Sequence, residues 1–171
     1  IDFMTRLFRK FKFRFFEFVP LLLLFFISLN GNSVIDINFF SANIHYILVY
    51  YWVLRRPQNL GYGFIFLSGI ITDVVFGLPM GVTALTLMVV AAVAAYIRVV
   101  TVRPALVSDW ISFIFALLIA NFVYFVTLYY SNYSIDYLYQ LKNSLFTFMS
   151  YPILWLFFQG ILNLINSESH A

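Results

Sequence analysis

Phe66-Leu67-Ser68-Gly69-Ile70-Ile71-Thr72-Asp73-Val74-Val75-Phe76-Gly77-Leu78-Pro79-Met80-Gly81 is the stretch that decides how this chain is read. An apolar helical pattern carries one carboxylate, Asp73, and breaks at Gly77-Leu78-Pro79; a second apolar run starts at Met80. The runs leave no space for a large loop between them. The spacing therefore predicts a tight transmembrane helical hairpin with an acid about one turn below its tip. Gly61, Ile65, Gly69, Asp73 and Gly77 recur at i+4 and make one ridge along the first helix. Three of them are glycine, which predicts a second backbone lying very close. Asp73 shares the ridge, so it should face protein and not lipid.

Working outward, the 171 residues are 63% hydrophobic and only 10% charged, against about a quarter charged in soluble domains. Long uncharged runs predict a polytopic, all-α membrane protein with six spans in a single domain, at about 15–29, 42–54, 60–77, 80–97, 109–130 and 144–165. The net charge of +3 matters less than its placement. Arg6, Arg9, Lys10, Lys12 and Arg14 stud a basic aromatic stretch over residues 1–14. Arg55 and Arg56 follow the second span, and Arg98 and Arg103 follow the fourth. Six spans put all of these on the side of both termini, with Lys142 opposite, so the positive-inside rule makes that side cytoplasmic. The N-terminal cluster reads as a topology anchor; the alternative is a site for anionic lipid or a partner. Met4 is a candidate start, and the first apolar run, which lacks a small-residue cleavage site, is expected to be an anchor and not a signal peptide.

Several chemistries find no pattern. There is no cysteine, no phosphate-binding glycine loop, no nucleophile elbow, no zinc-type histidine pair and no basic face of a soluble nucleic-acid binder. His45, near an outer helix end, is expected to be a hydrogen-bonded packing residue. Asn121, near mid-membrane, should hydrogen-bond across helices, and Pro152 should kink the last helix. Tyr129, Tyr130, Tyr133, Tyr137 and Tyr139 read as an outer aromatic belt and short loop. Ala84, Ala91 and Ala95 give the fourth helix a small-residue packing face. Asp73 has two readings, a lock between the two hairpin helices or a proton- or substrate-handling group. The lock is favoured, with the Thr83 hydroxyl as its partner, and it makes Asp73→Asn a mild change.

Tyr51-Trp52-Val53-Leu54-Arg55-Arg56-Pro57, then Phe66 and Gly69, then Asp73-x-x-x-Gly77-x-Pro79-Met80-Gly81 and Leu85, resemble the rod shape-determining MreD family. Met80 stands where the family has leucine, and the likeness covers about Ser41 to Arg98. The resemblance implies a non-enzymatic, multi-pass subunit of the bacterial inner membrane, without cofactor or metal. It would join MreC and, directly or through it, the MreB filament, RodA and the elongation transpeptidase, with membrane lipid and no nucleic acid. It also implies a fold similar to the substrate-binding subunits of energy-coupling-factor transporters, hence a second hypothesis of a small-molecule or lipid-binding transporter subunit. Gly61, Gly69, Asp73, Gly77, Pro79, Gly81 and Thr83 are then the structural or partner-contact hairpin.

Overall fold

The computed structural model describes residues 18–30, 34–37, 40–101, 105–134 and 136–169. Its elements are α1 (Phe18–Asn30), β1 (Val34–Ile37), β2 (Phe40–Asn43), α2 (Ile44–Arg55), a 3-10 turn (Pro57–Asn59), α3 (Tyr62–Phe76), α4 (Val82–Val100), α5 (Leu106–Tyr130) and α6 (Tyr137–Ser169). Six helices are present among the described residues. Three of them, α4, α5 and the Tyr137–Asn163 part of α6, are long and apolar enough to cross a membrane. The other three fall short of a bilayer core of about 30 Å, since a helix rises about 1.5 Å per residue. α3 has 15 residues and α2 only 12.

α2 is the centre of the bundle. Every residue from His45 to Leu54 is buried, as befits a helix that is apolar on all sides. It was expected to begin at Ala42. Instead, Ala42 and Asn43 belong to an antiparallel strand pair with Val34 opposite Asn43 and Ile37 opposite Phe40. The short alternating run Val34-Ile35-Asp36-Ile37 carries the strand signal, and Asn43 ends β2 by capping α2, its Oδ1 accepting from the Tyr46 N–H at 3.3 Å. The Asn43 N–H itself donates to Thr147 Oγ1 of α6 at 2.8 Å. The all-α expectation is therefore corrected by one small hairpin.

α6 starts a full two turns before the expected residue 144. Asp136 caps it, its side chain accepting from the Tyr139 N–H at 3.0 Å, so Tyr137 and Tyr139 lie on a helix and not in a loop. The helix continues through Pro152. Proline has no N–H to offer the carbonyl four residues earlier, that of Phe148. Trp110 Nε1 of α5 donates to that freed oxygen at 2.9 Å while its ring stacks on Phe148. Nearby, Phe113 stacks on Tyr151, with centroids 4.6 Å apart, and Tyr50 of α2 packs on both rings. Farther along the same seam Asn121 Nδ2 donates to Ser144 Oγ at 2.8 Å and Gln140 Nε2 to Asn121 Oδ1 at 3.1 Å, the cross-helix bonding expected of Asn121.

α3 and α4 form the tight hairpin. Gly69 lies against Ala84 so closely that a Cβ at Gly69 would sit 2.3 Å from the Ala84 Cα and 2.6 Å from its N. The glycine ridge is thus real at one position. Gly61, Gly77 and Gly81 have other work: they flank the helices with φ of 63°, 64° and 99°, and a Cβ at Gly77 or Gly81 would meet open space. Backbone contact at Gly69 leaves nothing flexible to yield, so Gly69→Ala should already separate α3 from α4. The expected loss is about 1–3 kcal/mol of stability. Thermal unfolding of the purified protein in detergent checks it, with Gly63→Ala, where a Cβ meets nothing within 4 Å, as the harmless comparison.

Candidate functional site

Gly77 ends α3 in a left-handed conformation. The Leu78 N–H bonds to the Asp73 carbonyl at 2.9 Å and the Gly77 N–H to the Val74 carbonyl at 3.3 Å, the paired bonds of a Schellman stop. This reverses the chain within Leu78-Pro79-Met80. α4 then begins after Gly81, a cap residue with no side chain to offer the free N–H groups of a first turn. Asp73 supplies it from the neighbouring helix. One carboxylate oxygen accepts from the Gly81 N–H and the other from the Thr83 N–H, both at 2.8 Å. A carboxylate there also faces the positive end of the α4 dipole. Asp73 is fully buried, as are Ile65, Gly69 and Thr72 beside it.

Thr83 is therefore a partner of Asp73 as expected, but through its backbone N–H and not its hydroxyl. The difference changes the expected effect of substitution. An asparagine has one acceptor oxygen, and its NH₂ would point at the remaining N–H. Pro79 and Gly81 sit in the turn itself, so the hairpin residues Gly69, Asp73, Gly77, Pro79, Gly81 and Thr83 are brought together. Gly61 lies at the opposite end of α3.

A second polar centre was not foreseen. Arg55, expected to be only a topology anchor, turns inward. Its guanidinium pairs with Asp109 of α5, and the side chains are 12% and 1% exposed. Trp155 Nε1 of α6 donates to the same Asp109 oxygen at 3.2 Å, and the guanidinium lies 5.6 Å from the Trp155 ring and 5.9 Å from the Tyr51 ring. Tyr51 in turn donates to Gln159 at 2.9 Å. One ion pair thus ties together α2, α5 and α6. Asp109, in the first turn of α5 beside Trp110, was visible in sequence, but its partner lies 54 residues away. Arg56 is half-buried and Arg98 exposed in the last turn of α4. Arg6, Arg9, Lys10, Lys12, Arg14 and Arg103 lie outside the described residues.

At the other end of α2, His45 Nε2 is 3.1 Å from Ser28 Oγ and 3.3 Å from the Leu24 carbonyl. Both side chains are fully buried, and Ser28 also donates to Leu24 at 2.9 Å. His45 is a packing residue that fastens α1 to α2, as expected of it.

No known family, curated protein or solved structure gives a significant match to this chain.

Asp73→Asn should lose one of two charge-assisted bonds and leave one N–H facing an amide donor, a cost of about 1–3 kcal/mol. Asp73→Ala should cost more, because both N–H groups are then unmet. Unfolding midpoints of the two variants in one detergent check the order. At the Arg55–Asp109 pair, Asp109→Asn or Arg55→Gln alone should cost about 3–5 kcal/mol by stranding a buried charge. Replacing both residues with apolar ones should recover most of it, which a double-mutant cycle measures.

Proposed function

We propose that this protein is a non-enzymatic subunit of the bacterial cell-wall elongation machinery, of the MreD type. In that role it links MreC and the MreB filament to peptidoglycan synthesis and so maintains rod shape. The observation that carries the reading is the hairpin. The residues that give the resemblance, Gly69, Asp73, Gly77, Pro79 and Gly81, are spent on closing α3 against α4 and on capping α4. Chemistry would need such groups free; scaffolding needs them used. The Ser28–His45 pair, the nearest thing to a nucleophile and base among the described residues, is sealed between α1 and α2. RodA and the elongation transpeptidase are the enzymes such a subunit would serve.

The topology proposed is six crossings with both termini cytoplasmic, in the bacterial inner membrane. α4, α5 and the Tyr137–Asn163 part of α6 are long and apolar enough to cross as helices. The second crossing is a composite, since β2 and α2 in series rise about 31 Å, the thickness of the core. Strand backbone at such depth is tolerated where protein covers it, and β2 is paired with β1 and packed on α6. Arg55, at the end of that crossing, and Arg98, at the end of α4, then share the inner side.

The alternative, a substrate-binding transporter subunit, rests on the polar groups in the outer half of the bundle. Both Asp73 carboxylate oxygens and the His45 Nε2 are engaged by the protein itself, which favours the scaffold.

Reporter fusions after Ser167 should read as cytoplasmic and fusions at Asn132 as periplasmic; the reverse pair would overturn the topology. Depletion should round the cells and scatter wall synthesis, and co-purification should recover MreC. Cells that stay rod-shaped but lose uptake of one nutrient would favour the transporter subunit.

A further inference from the structure

We infer that the seam between α4 and α5 holds one acyl chain of a membrane phospholipid, from the leaflet on the side of the α4–α5 connection. A groove of about 570 Å³ runs there, walled by Val93 and Ile97 of α4 and by Phe115 and Ile119 of α5, with Ala92 at its far end. Residues between Ala92 and Thr101 line it from α4, and residues between Ser112 and Ile119 line it from α5. From Ala92 to Thr101 the groove is about 14 Å long at helical rise. One leaflet of a core of about 30 Å is about 15 Å deep. The groove therefore runs from the end of α4 to near the middle of that helix, with an α5 wall of about 11 Å from Ser112 to Ile119, close to the run of a single chain tail within one leaflet.

What covers it follows from where it lies. α4 and α5 are both long and apolar enough to span, Val100 in the groove is 60% exposed, and the same helices carry the exposed apolar residues Ile111, Leu118 and Phe122. An apolar furrow excludes water, and left empty its walls lose their dispersion contacts. The membrane supplies hydrocarbon at that depth. Polar groups gather toward the connection: the Thr101 hydroxyl at the end of α4, and Tyr96 one turn deeper. These can meet the ester region of a glycerolipid. Ser112 is already engaged, donating to the Ser108 carbonyl at 2.7 Å. The inference needs only that the protein resides in a membrane and is independent of the proposed role in wall synthesis.

The test is native mass spectrometry of the full chain purified in mild detergent, with the bound lipid extracted and identified. The wild type should retain one phospholipid per chain through washing. Ala92→Phe, which fills the far end, should lower that occupancy about tenfold or more, a difference of about 1.4 kcal/mol per decade. Val99→Phe, on a residue 85% exposed and outside the groove, should leave it unchanged. Should Ala92→Phe fail to fold, Ile119→Trp narrows the groove from the α5 wall and should lower occupancy likewise. A wild type that retains no lipid, equal retention in all variants, or a polypeptide in place of the lipid would each overturn the inference.

Discussion

The hairpin of α3 and α4 depends on one carboxylate. A turn this tight places the end of one helix beside the start of the next, and both ends expose backbone groups that have no partner within their own helix. Water could satisfy them at a surface. The α3 end is exposed from Val74 to Gly77, but the α4 start is buried at Val82 and Thr83, and there the N–H groups need protein. The α3 end meets its need with Gly77 and the Schellman bonds; the α4 start has only Gly81, which offers no side chain. Asp73 closes the gap with two bonds from one residue. Its placement is tied to Gly69, one turn earlier on the same face, because only the direct approach of the Ala84 backbone brings the α4 first turn within reach. Charge and close packing thus hold each other in place.

The Arg55 end of α2 uses a different solution to a related problem. α2 is surrounded on every side, so a basic residue at its end cannot simply rest in water. Arg55 instead pairs with Asp109 and is flanked by Tyr51 and Trp155. A pair of this kind adds little net stability over apolar packing, yet it fixes which helix ends meet. Between the two centres the contacts are aromatic and small: Tyr50, Phe113 and Tyr151 on one side, and the buried Ala84, Ala91 and Ala94 of α4 on the other. The expected alanine face shifts by one residue here, with Ala94 buried and Ala95 half-buried.

Local features were legible and distant ones were not. The breaks at Gly77 and Pro79, the close approach at Gly69 and the inward-facing Asp73 follow from spacing within one segment. So does the bonded character of His45 and Asn121, because an intramembrane polar side chain must find a partner. The identity of the partner is a tertiary fact. Nothing in the run around Arg55 announces Asp109, and nothing near Pro152 announces that Trp110 will take the freed carbonyl. The strand pair was hidden because its pattern is four residues long and sits against an apolar run that continues into α2. The early start of α6 was hidden by its tyrosines, which read as an interfacial loop although Asp136 is a sound cap.

The short α2 carries a consequence for the fold as a whole. A 12-residue helix cannot cross a bilayer, so its N-terminal turn lies inside the bundle and must be satisfied there. Asn43 does this from within the chain and Thr147 from α6, while β1 takes up the hydrogen bonding of β2 above them. α6 presents Gln140, Asn143, Ser144 and Thr147 at helical spacing along that part: Thr147 accepts from the Asn43 N–H, while Gln140 and Ser144 bond to Asn121 of α5. C-terminal to Thr147, α6 turns to Tyr151, Trp155 and Phe158 against α2. The change from polar to aromatic along one face of α6 thus marks the depth at which the chain passes from strand to helix.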